Sequence, residues 1–153
     1  MSGFVSHYTK KIDSKGRVSI PAAFRAALAR DGYDGLYCYP SLDMQTVDAG
    51  GNGLLAEIER RLGVFEPFTE EHDFLSTAFY GMSEVLNIDG DGRVILSDAI
   101  KDTAGIEDEV SFVGQGYKFQ IWEPSRFGLH RDEARRRALA LRRGTRTGAG
   151  EPA

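Results

Sequence analysis

The feature that most constrains the fold of this chain is an internal repeat. Residues 12–20, IDSKGRVSI, recur at 88–96 as IDGDGRVIL, with five of nine positions identical at an offset of 76 residues. Self-similarity at a fixed offset is the signature of a repeated structural unit. Two copies about half a chain apart therefore predict a molecule with an approximate two-fold axis relating its halves.

Both copies share one local pattern. The common Asp-x-x-Gly-Arg-Val places a turn former and a glycine between two β-favouring stretches, which is the signal of a hairpin. In the first copy, Pro21 opens an alanine-rich stretch that predicts a short helix, and Gly32 is a suitable stop. In the second copy, Ser97 or Asp98 is a suitable N-cap for a helix over 99–104. Each half thus predicts a turn followed by a short helix.

The remaining patterns predict further strands and helices. Strands are expected over 36–39, 110–113 and 118–122, and helices over 54–62, 70–79 and 124–143, with a polar, glycine-rich loop over 48–53. The fold class is α+β, with two ββαβ-like halves and helices packed around them. We expect the first repeat to span 1–68, the second with its C-terminal helix to span 69–143, and a disordered tail to follow over 144–153.

Charge is distributed unevenly, although the net charge is −4. Residues 1–30 carry six basic side chains against Asp13 alone, and residues 126–153 carry eight arginines against three acids. The segment 31–125 carries nineteen acids against five bases. A basic face on an acidic body can still bind phosphate, so the net charge does not exclude a nucleic-acid partner.

Composition argues against several classes. No run approaches the ~20 apolar residues of a membrane span, and the N-terminus lacks the apolar core of a signal peptide. A single cysteine, Cys38, suits a reducing cytosol and is expected to be a buried small hydrophobe. The three histidines are isolated, and in the calcium-loop-like sequence starting at Asp89 a ligand position is taken by Arg93. We expect a cytoplasmic protein that is not an enzyme, with no cofactor, metal or small-molecule substrate.

The repeated segments carry a family resemblance. DSKGRVSIPAAFR and IDGDGRVILSDAI resemble the two signature segments of MraZ proteins, members of the SpoVT/AbrB swapped-hairpin superfamily, and FVSHYTKK, GLYCYPS and FVGQGYKFQIWEP are similar to that family as well. The similarity covers residue 3 to about residue 143. One DxKGR box is a weak signal, whereas two boxes, each followed by a short helix and an aromatic strand, are a strong one.

The resemblance implies both a fold and a function. It implies two AbrB-like swapped-hairpin repeats interlocked in one pseudo-two-fold, barrel-like core, in chains that close into homo-oligomeric rings. It also implies a nucleoid-associated transcriptional regulator, usually a repressor, that binds double-stranded DNA at G-containing direct repeats upstream of the cell-wall and division gene cluster. The residues that match the family's DNA-contacting box are Lys15 and Arg17, with Lys10, Lys11 and Arg25 nearby and Arg93 in the second box.

The chemistry of these residues suits DNA. Guanine presents O6 and N7 acceptors in the major groove, and the planar guanidinium of Arg17 can donate to both. The lysines and Arg25 suit phosphate contacts. The second box departs from the first, because Asp91 stands where the first has Lys15 and Ser97 stands where it has Pro21. We therefore expect the second box to grip DNA less well.

Alternative interpretations stay open for several of these features. Asp-x-x-Gly-Arg can be a plain turn with a solvated arginine, and Asp13 and Asp89 are expected to stabilise the turn or orient the arginine rather than bind metal. The arginines of 135–143 suit a solvated helix face. For the whole chain, the alternative function is a ring-forming protein-interaction scaffold or antitoxin-like module, whose acidic body binds another protein and for which DNA binding is incidental.

Overall fold

A computed structural model describes residues 3–149 of the chain, with side chains described through Gly144. The strands are β1 (His7–Lys11), β2 (Arg17–Ser19), β3 (Leu36–Pro40), β4 (Val47–Gly50), β5 (Glu84–Leu86), β6 (Arg93–Ile95), β7 (Glu109–Gly114) and β8 (Phe119–Trp122). The helices are α1 (Ala22–Asp31), α2 (Asn52–Leu62), α3 (Glu70–Ser76), α4 (Asp98–Ala104) and α5 (Pro124–Ala149), with a π-helical turn over Thr77–Gly81. The predicted α+β class is confirmed. The chain divides into a first compact unit that ends at Glu123 and a second that begins at Pro124 and contains α5.

The main sheet has six antiparallel strands in the order β1-β7-β8-β4-β3-β5. Its first-half strands β1, β3 and β4 correspond to β5, β7 and β8 of the second half. If each strand is replaced by its counterpart in the other half, the same order is obtained when the sheet is followed from its opposite edge. The β4/β8 pair lies at the centre of this order. The strand order therefore has the approximate two-fold relation that the internal repeat predicts.

A separate two-stranded sheet joins the two copies of the repeat. Strands β2 and β6 pair antiparallel with Val18 opposite Val94, and both valines are buried. The strand that precedes each turn pairs elsewhere, β1 with β7 and β5 with β3. A simple hairpin within each copy is therefore wrong: the turn forms, but its two arms have different partners, because pairing β2 with β6 removes both valines from water.

The short helices begin and end where the sequence predicts. Helix α1 starts after Pro21 and ends at Gly32, whose φ of 84° lies in the left-handed region that favours glycine. Helix α4 has Ser97 as its N-cap, with Oγ accepting a hydrogen bond from the Ile100 N–H at 3.2 Å. The helices predicted over 54–62 and 70–79 correspond to α2 and to α3 with the π-helical turn.

The core of the first unit gathers residues from both halves. Phe24 of α1 meets the rings of Phe4 and Tyr8 edge-on, with centroids 5.4 and 5.5 Å apart, and the ring of Phe119 at 4.9 Å. Such edge-to-face aromatic contacts stabilise a core beyond the area they bury. Cys38 is buried in the same cluster, as expected.

The loop predicted over 48–53 is wrong. Residues 47–50 form the buried strand β4, and the polar side chain of Asp48 is accommodated because Lys118 Nζ lies 2.9 Å from its Oδ2. A buried charge is tolerated when an opposite charge meets it. The partner lies 70 residues away in the chain, so local composition does not reveal the strand. Strand β5 precedes the second turn, where the Asp-x-x-Gly-Arg-Val pattern predicts a β-favouring stretch.

Helix α5 carries the arginine-rich sequence. Glu133 pairs with Arg136 and with Arg137, whose Nε lies 2.6 Å from Oε1, and these arginines are exposed. The helix runs past Gly144, where the predicted tail begins, and residues 1–2 and 150–153 lie outside the described residues. Within residues 3–149, no helix combines the length and apolar character needed to cross a bilayer.

Candidate nucleic-acid interface

The first turn, residues 13–17, is organised by one carboxylate. Asp13 Oδ1 accepts hydrogen bonds from the backbone N–H groups of Lys15 and Arg17, at 2.9 and 2.8 Å. Its Oδ2 accepts from Arg17 Nε at 2.8 Å. Gly16 completes the turn with a φ of 82°. Because Nε is held, the guanidinium plane is oriented while its two terminal nitrogens are left for another partner.

The second turn, residues 89–93, repeats this arrangement. Asp89 Oδ1 accepts from the N–H groups of Asp91 and Arg93, both at 2.9 Å, and Oδ2 accepts from Arg93 Nε at 3.0 Å. One contact is added: Arg93 Nη2 lies 3.1 Å from Asp91 Oδ2. The arginine of the second turn thus faces two carboxylates, whereas among the described residues Arg17 is ion-paired with Asp13 alone.

Both organising carboxylates are held in their charged form. The backbone N–H of Arg17, followed by its side chain and the N–H of Lys15, lowers the pKa of Asp13 below its ordinary value. The corresponding N–H of Arg93 has the same effect on the pKa of Asp89. The expectation that these aspartates stabilise the turn and orient the arginine is confirmed, and their oxygens are engaged by N–H donors.

The two turns lie at opposite ends of the β2/β6 ribbon, whose outward side we call the ribbon face: Arg17, Ser19, Arg93 and Ile95. Val18 and Val94 point into the core, so the residues flanking them point outward. Arg17 lies opposite Ile95, and Arg93 opposite Ser19. Diagonal neighbours in such a pair are roughly 7–8 Å apart. Arg17 and Arg93 therefore lie diagonally across one face of a two-stranded ribbon, and such a ribbon is narrow enough to enter a major groove.

Arg25 lies at the second turn rather than the first, where the sequence had placed it. Its Nη1 lies 3.4 Å from the carbonyl oxygen of Asp91. A Cβ added to Gly92 would sit 2.3 Å from Arg25 Cδ, so the arginine stem crosses directly over that glycine. Because β2 of the first copy pairs with β6 of the second, helix α1 of the first copy lies beside the turn of the second copy.

The lysines are divided between surfaces. Lys15 is exposed in the first turn. Lys10 and Lys11 are consecutive on β1 and therefore point to opposite faces of the main sheet. Lys10 is half-buried and lies on the same face as Tyr8, which packs against the core. Lys11 lies on the exposed face. The sequence grouped the two lysines, but the structure separates them.

Sequence reasoning did not identify Ser19 and Ile95 as members of the ribbon face. The alternation Arg-Val-Ser and Arg-Val-Ile was the available signal, because a buried central valine turns both of its neighbours outward. What the alternation could not show is that the two copies pair with each other, which places the four side chains on a single face.

Comparison with known proteins assigns the family. A family model described as "MraZ protein, putative antitoxin-like" matches residues 79–141. Proteins named transcriptional regulator MraZ from Beijerinckia indica subsp. indica and Methylocella silvestris are 58% and 57% identical over 143 residues, which is 94% of this chain and 87% of each relative. The chain belongs to the MraZ family. The MraZ regulator of Xanthobacter autotrophicus is 51% identical over 99% of this chain and 97% of its own length.

The matches to MraZ relatives extend over both turns of the ribbon. The matched family region contains the second turn, and the alignment with the Xanthobacter MraZ protein spans nearly the entire chain. The resemblance drawn from the repeated motifs is therefore confirmed.

Proposed function

We propose that this chain is a sequence-specific, DNA-binding transcriptional regulator that uses the ribbon face as its reading surface. The observation that carries the proposal is the pair Arg17 and Arg93, which share one face of a two-stranded ribbon and are each held at Nε by their own aspartate. A guanidinium held this way presents its terminal nitrogens in a fixed plane, which suits the O6 and N7 acceptors of guanine. The relatives' name, transcriptional regulator, supports the same function.

In this proposal the charged residues have separate roles. Arg17 donates to a base edge from the first turn, and Arg93 occupies the equivalent place in the second. Lys15, Arg25 and the exposed Lys11 contact phosphates, which fixes the position of the ribbon along the duplex without reading sequence. Lys10 lies on the opposite face of β1 and has no such role. A regulator acting through these contacts would be found with the nucleoid in the cytoplasm.

We further propose that the two halves, 1–68 and 69–143, are AbrB-like swapped-hairpin repeats. The two-fold strand order and the pairing of β2 with β6 support this interpretation. One ribbon supplies limited affinity, so the chain acts as a homo-oligomeric ring whose ribbons bind successive G-containing direct repeats, with a gain from effective concentration. Repression of the cell-wall and division gene cluster follows from the resemblance to the family.

Titration of labelled DNA from upstream of the chain's own gene tests the proposal. A scrambled fragment is the DNA control, and Arg17→Ala is compared with Arg60→Ala, which removes the same charge from α2, where Arg60 pairs with Glu57. We expect Arg17→Ala to weaken specific binding about tenfold or more and Arg60→Ala to have little effect. Arg17→Lys, which keeps the charge but not the fork, should lose the preference for the native fragment.

The salt dependence of the same titration counts the phosphates engaged, at a slope of about 0.9 per contact. Size-exclusion chromatography of each variant checks that assembly is intact. Equal, weak binding of both fragments by the wild type, with Arg17→Ala unchanged, would refute the DNA-binding proposal.

One observation favours a second function, a protein-interaction scaffold. Phe68 is 99% exposed, and Val64 and Phe74 are 79% and 68% exposed, in a segment that also carries Glu66, Glu70 and Glu71. Apolar side chains exposed beside acids are a feature of protein-binding surfaces. Phe68→Ser together with Phe74→Ser would abolish such a function and leave binding to a DNA duplex with one repeat unchanged.

A further inference from the structure

The two turns of the ribbon have the same backbone but different charge. Three contacts recur in both, from an aspartate to two backbone N–H groups and to one arginine Nε. The middle position differs, because it is Lys15 in the first turn and Asp91 in the second. The first turn therefore has two cations and one carboxylate, and the second has one cation and two carboxylates.

Asp91 acts on the second turn in two ways. Its Oδ2 pairs with Arg93 Nη2 at 3.1 Å, and its side chain is 78% exposed at the edge of the ribbon face. An ion pair this exposed is weak and can open when DNA arrives. The negative charge nevertheless remains beside the phosphates, and its repulsion opposes docking of this turn.

Arg25 partly offsets that charge from the other half of the chain. Its stem crosses Gly92, and its guanidinium meets the carbonyl oxygen of Asp91. Its counterpart in the second half, Lys101, pairs instead with Asp98 of its own helix, Nζ to Oδ1 at 3.6 Å. Nothing lies within 4 Å of a Cβ added to Gly16. Among the described residues, a cation therefore lies across the glycine of the second turn, Gly92, and none lies across that of the first, Gly16.

We propose that Asp91 and Arg25 make the two turns unequal, so that each chain grips DNA through its first turn and in one orientation. A ribbon with two equal turns would fit a site in either direction, because its two-fold axis relates them. The unequal ribbon instead has a strong end, with Lys15 and Arg17, and a charge-balanced end, where Arg93 faces two carboxylates and Arg25 contacts phosphate. The inference rests on the proposed DNA-binding function and explains why direct repeats, rather than inverted ones, would suit the chain.

Charge substitutions at the middle position test the inference. Asp91→Lys makes the second turn match the first, and Lys15→Asp makes the first match the second. On a duplex with one repeat, we expect Asp91→Lys to raise affinity about tenfold and to increase the salt slope by about 0.9 for one new phosphate contact. Lys15→Asp should lower both. An unchanged affinity and slope for Asp91→Lys would overturn the proposal.

Orientation is measured by directed DNA cleavage. Ser14→Cys places an exposed thiol in the first turn for an iron–EDTA label. Burial raises the pKa of the Cys38 thiol to about 12, so that thiol is protected from labelling near neutral pH. We expect cleavage on one side of the repeat for the labelled protein and on both sides after Asp91→Lys is added. Cleavage on both sides without that substitution would also overturn the proposal.

Arg25→Ala tests the other residue of the pair, with Arg30→Ala, from the last turn of the same helix, as the matched control. Arg25→Ala should lower the salt slope by about 0.9, and Arg30→Ala should leave it unchanged. Equal slopes for both variants would remove Arg25 from the proposal. If neither the wild type nor any variant binds the native fragment more tightly than the scrambled control, the proposed function itself fails. That outcome is distinct from a failure of the inference about the two turns.

Discussion

The β2/β6 ribbon and the central β4/β8 pair use charged residues in opposite ways. On the ribbon, Asp13 and Arg17 are about one-third exposed and the ion pair orients a side chain toward solvent. On the central pair, Asp48 is buried and contacts the mostly buried Lys118, which lies just before β8, with Gln120 Nε2 a second donor to Asp48 at 3.4 Å. The same kind of contact therefore orients an exposed side chain at one site and compensates a buried charge at the other, and the difference lies in exposure to water.

Desolvation explains this division. Removing one partner of a buried pair leaves an uncompensated charge in a medium of low dielectric constant, at a large cost in stability. Removing one partner of an exposed pair lets water replace it. Variants of the central pair should therefore change stability with little effect on binding per folded molecule, and removal of an arginine from the ribbon should change binding more than stability.

The largest effect is expected at the central pair. Lys118→Met keeps most of the side-chain volume but removes the ammonium from Asp48, so we expect the free energy of unfolding to fall by about 3–5 kcal/mol. Urea unfolding monitored by circular dichroism measures it. Asp48→Asn in the same chain should recover much of the loss. A small effect of Lys118→Met alone would mean that water already solvates Asp48.

A smaller effect is expected at the two turn glycines. Gly16 and Gly92 have φ values of 82° and 77°, so alanine at either position should cost about 1–2 kcal/mol of stability. The two variants should differ in DNA binding, because a methyl group at Gly92 displaces Arg25 whereas one at Gly16 meets open space. If both variants lose salt dependence of DNA binding to the same extent, the turn conformation and not Arg25 accounts for the loss.

The smallest effect is expected from acid. The pKa of Asp13 is lowered in the folded chain, chiefly by the Arg17 N–H, so its charged form stabilises the folded state above the ordinary value of 3.8. That contribution is lost as the pH falls through the lowered folded value. The urea midpoint of the wild type should exceed that of Asp13→Asn near neutral pH, and the gap should close below that ordinary value. A gap that is constant with pH would contradict this origin.

Much of the local structure could be predicted from the sequence because its causes are local. Pro21, Gly32 and Ser97 mark helix ends, and the repeated aspartates mark turns whose hydrogen bonds join residues two and four positions apart. The pairing of the turns, by contrast, depends on contacts across half the chain. That pairing is why Arg25, which lies near the first box in the sequence, is found at the second turn.

The strand β4 was missed for a related reason. Its sequence, Val-Asp-Ala-Gly, has the composition of a loop, and the residue that permits burial of Asp48, Lys118, lies immediately before β8. The separation of Lys10 from Lys11 has a different cause. Consecutive residues of a strand point to opposite faces of the sheet. Grouping Lys10 and Lys11 by their charge alone ignores this alternation.

The pairing of β1 with β7 also determines when this chain can fold during its synthesis. Thr9 and Ser111, whose hydroxyl groups hydrogen-bond at 2.8 Å, are 102 residues apart. The first half therefore leaves the ribosome with β1 and β2 unpaired, and it must wait for most of the second half before its edges are covered. During that interval the open edges can pair with those of another nascent chain. The intertwined halves thus leave the edges of β1 and β2 uncovered until β6 and β7 have been synthesised.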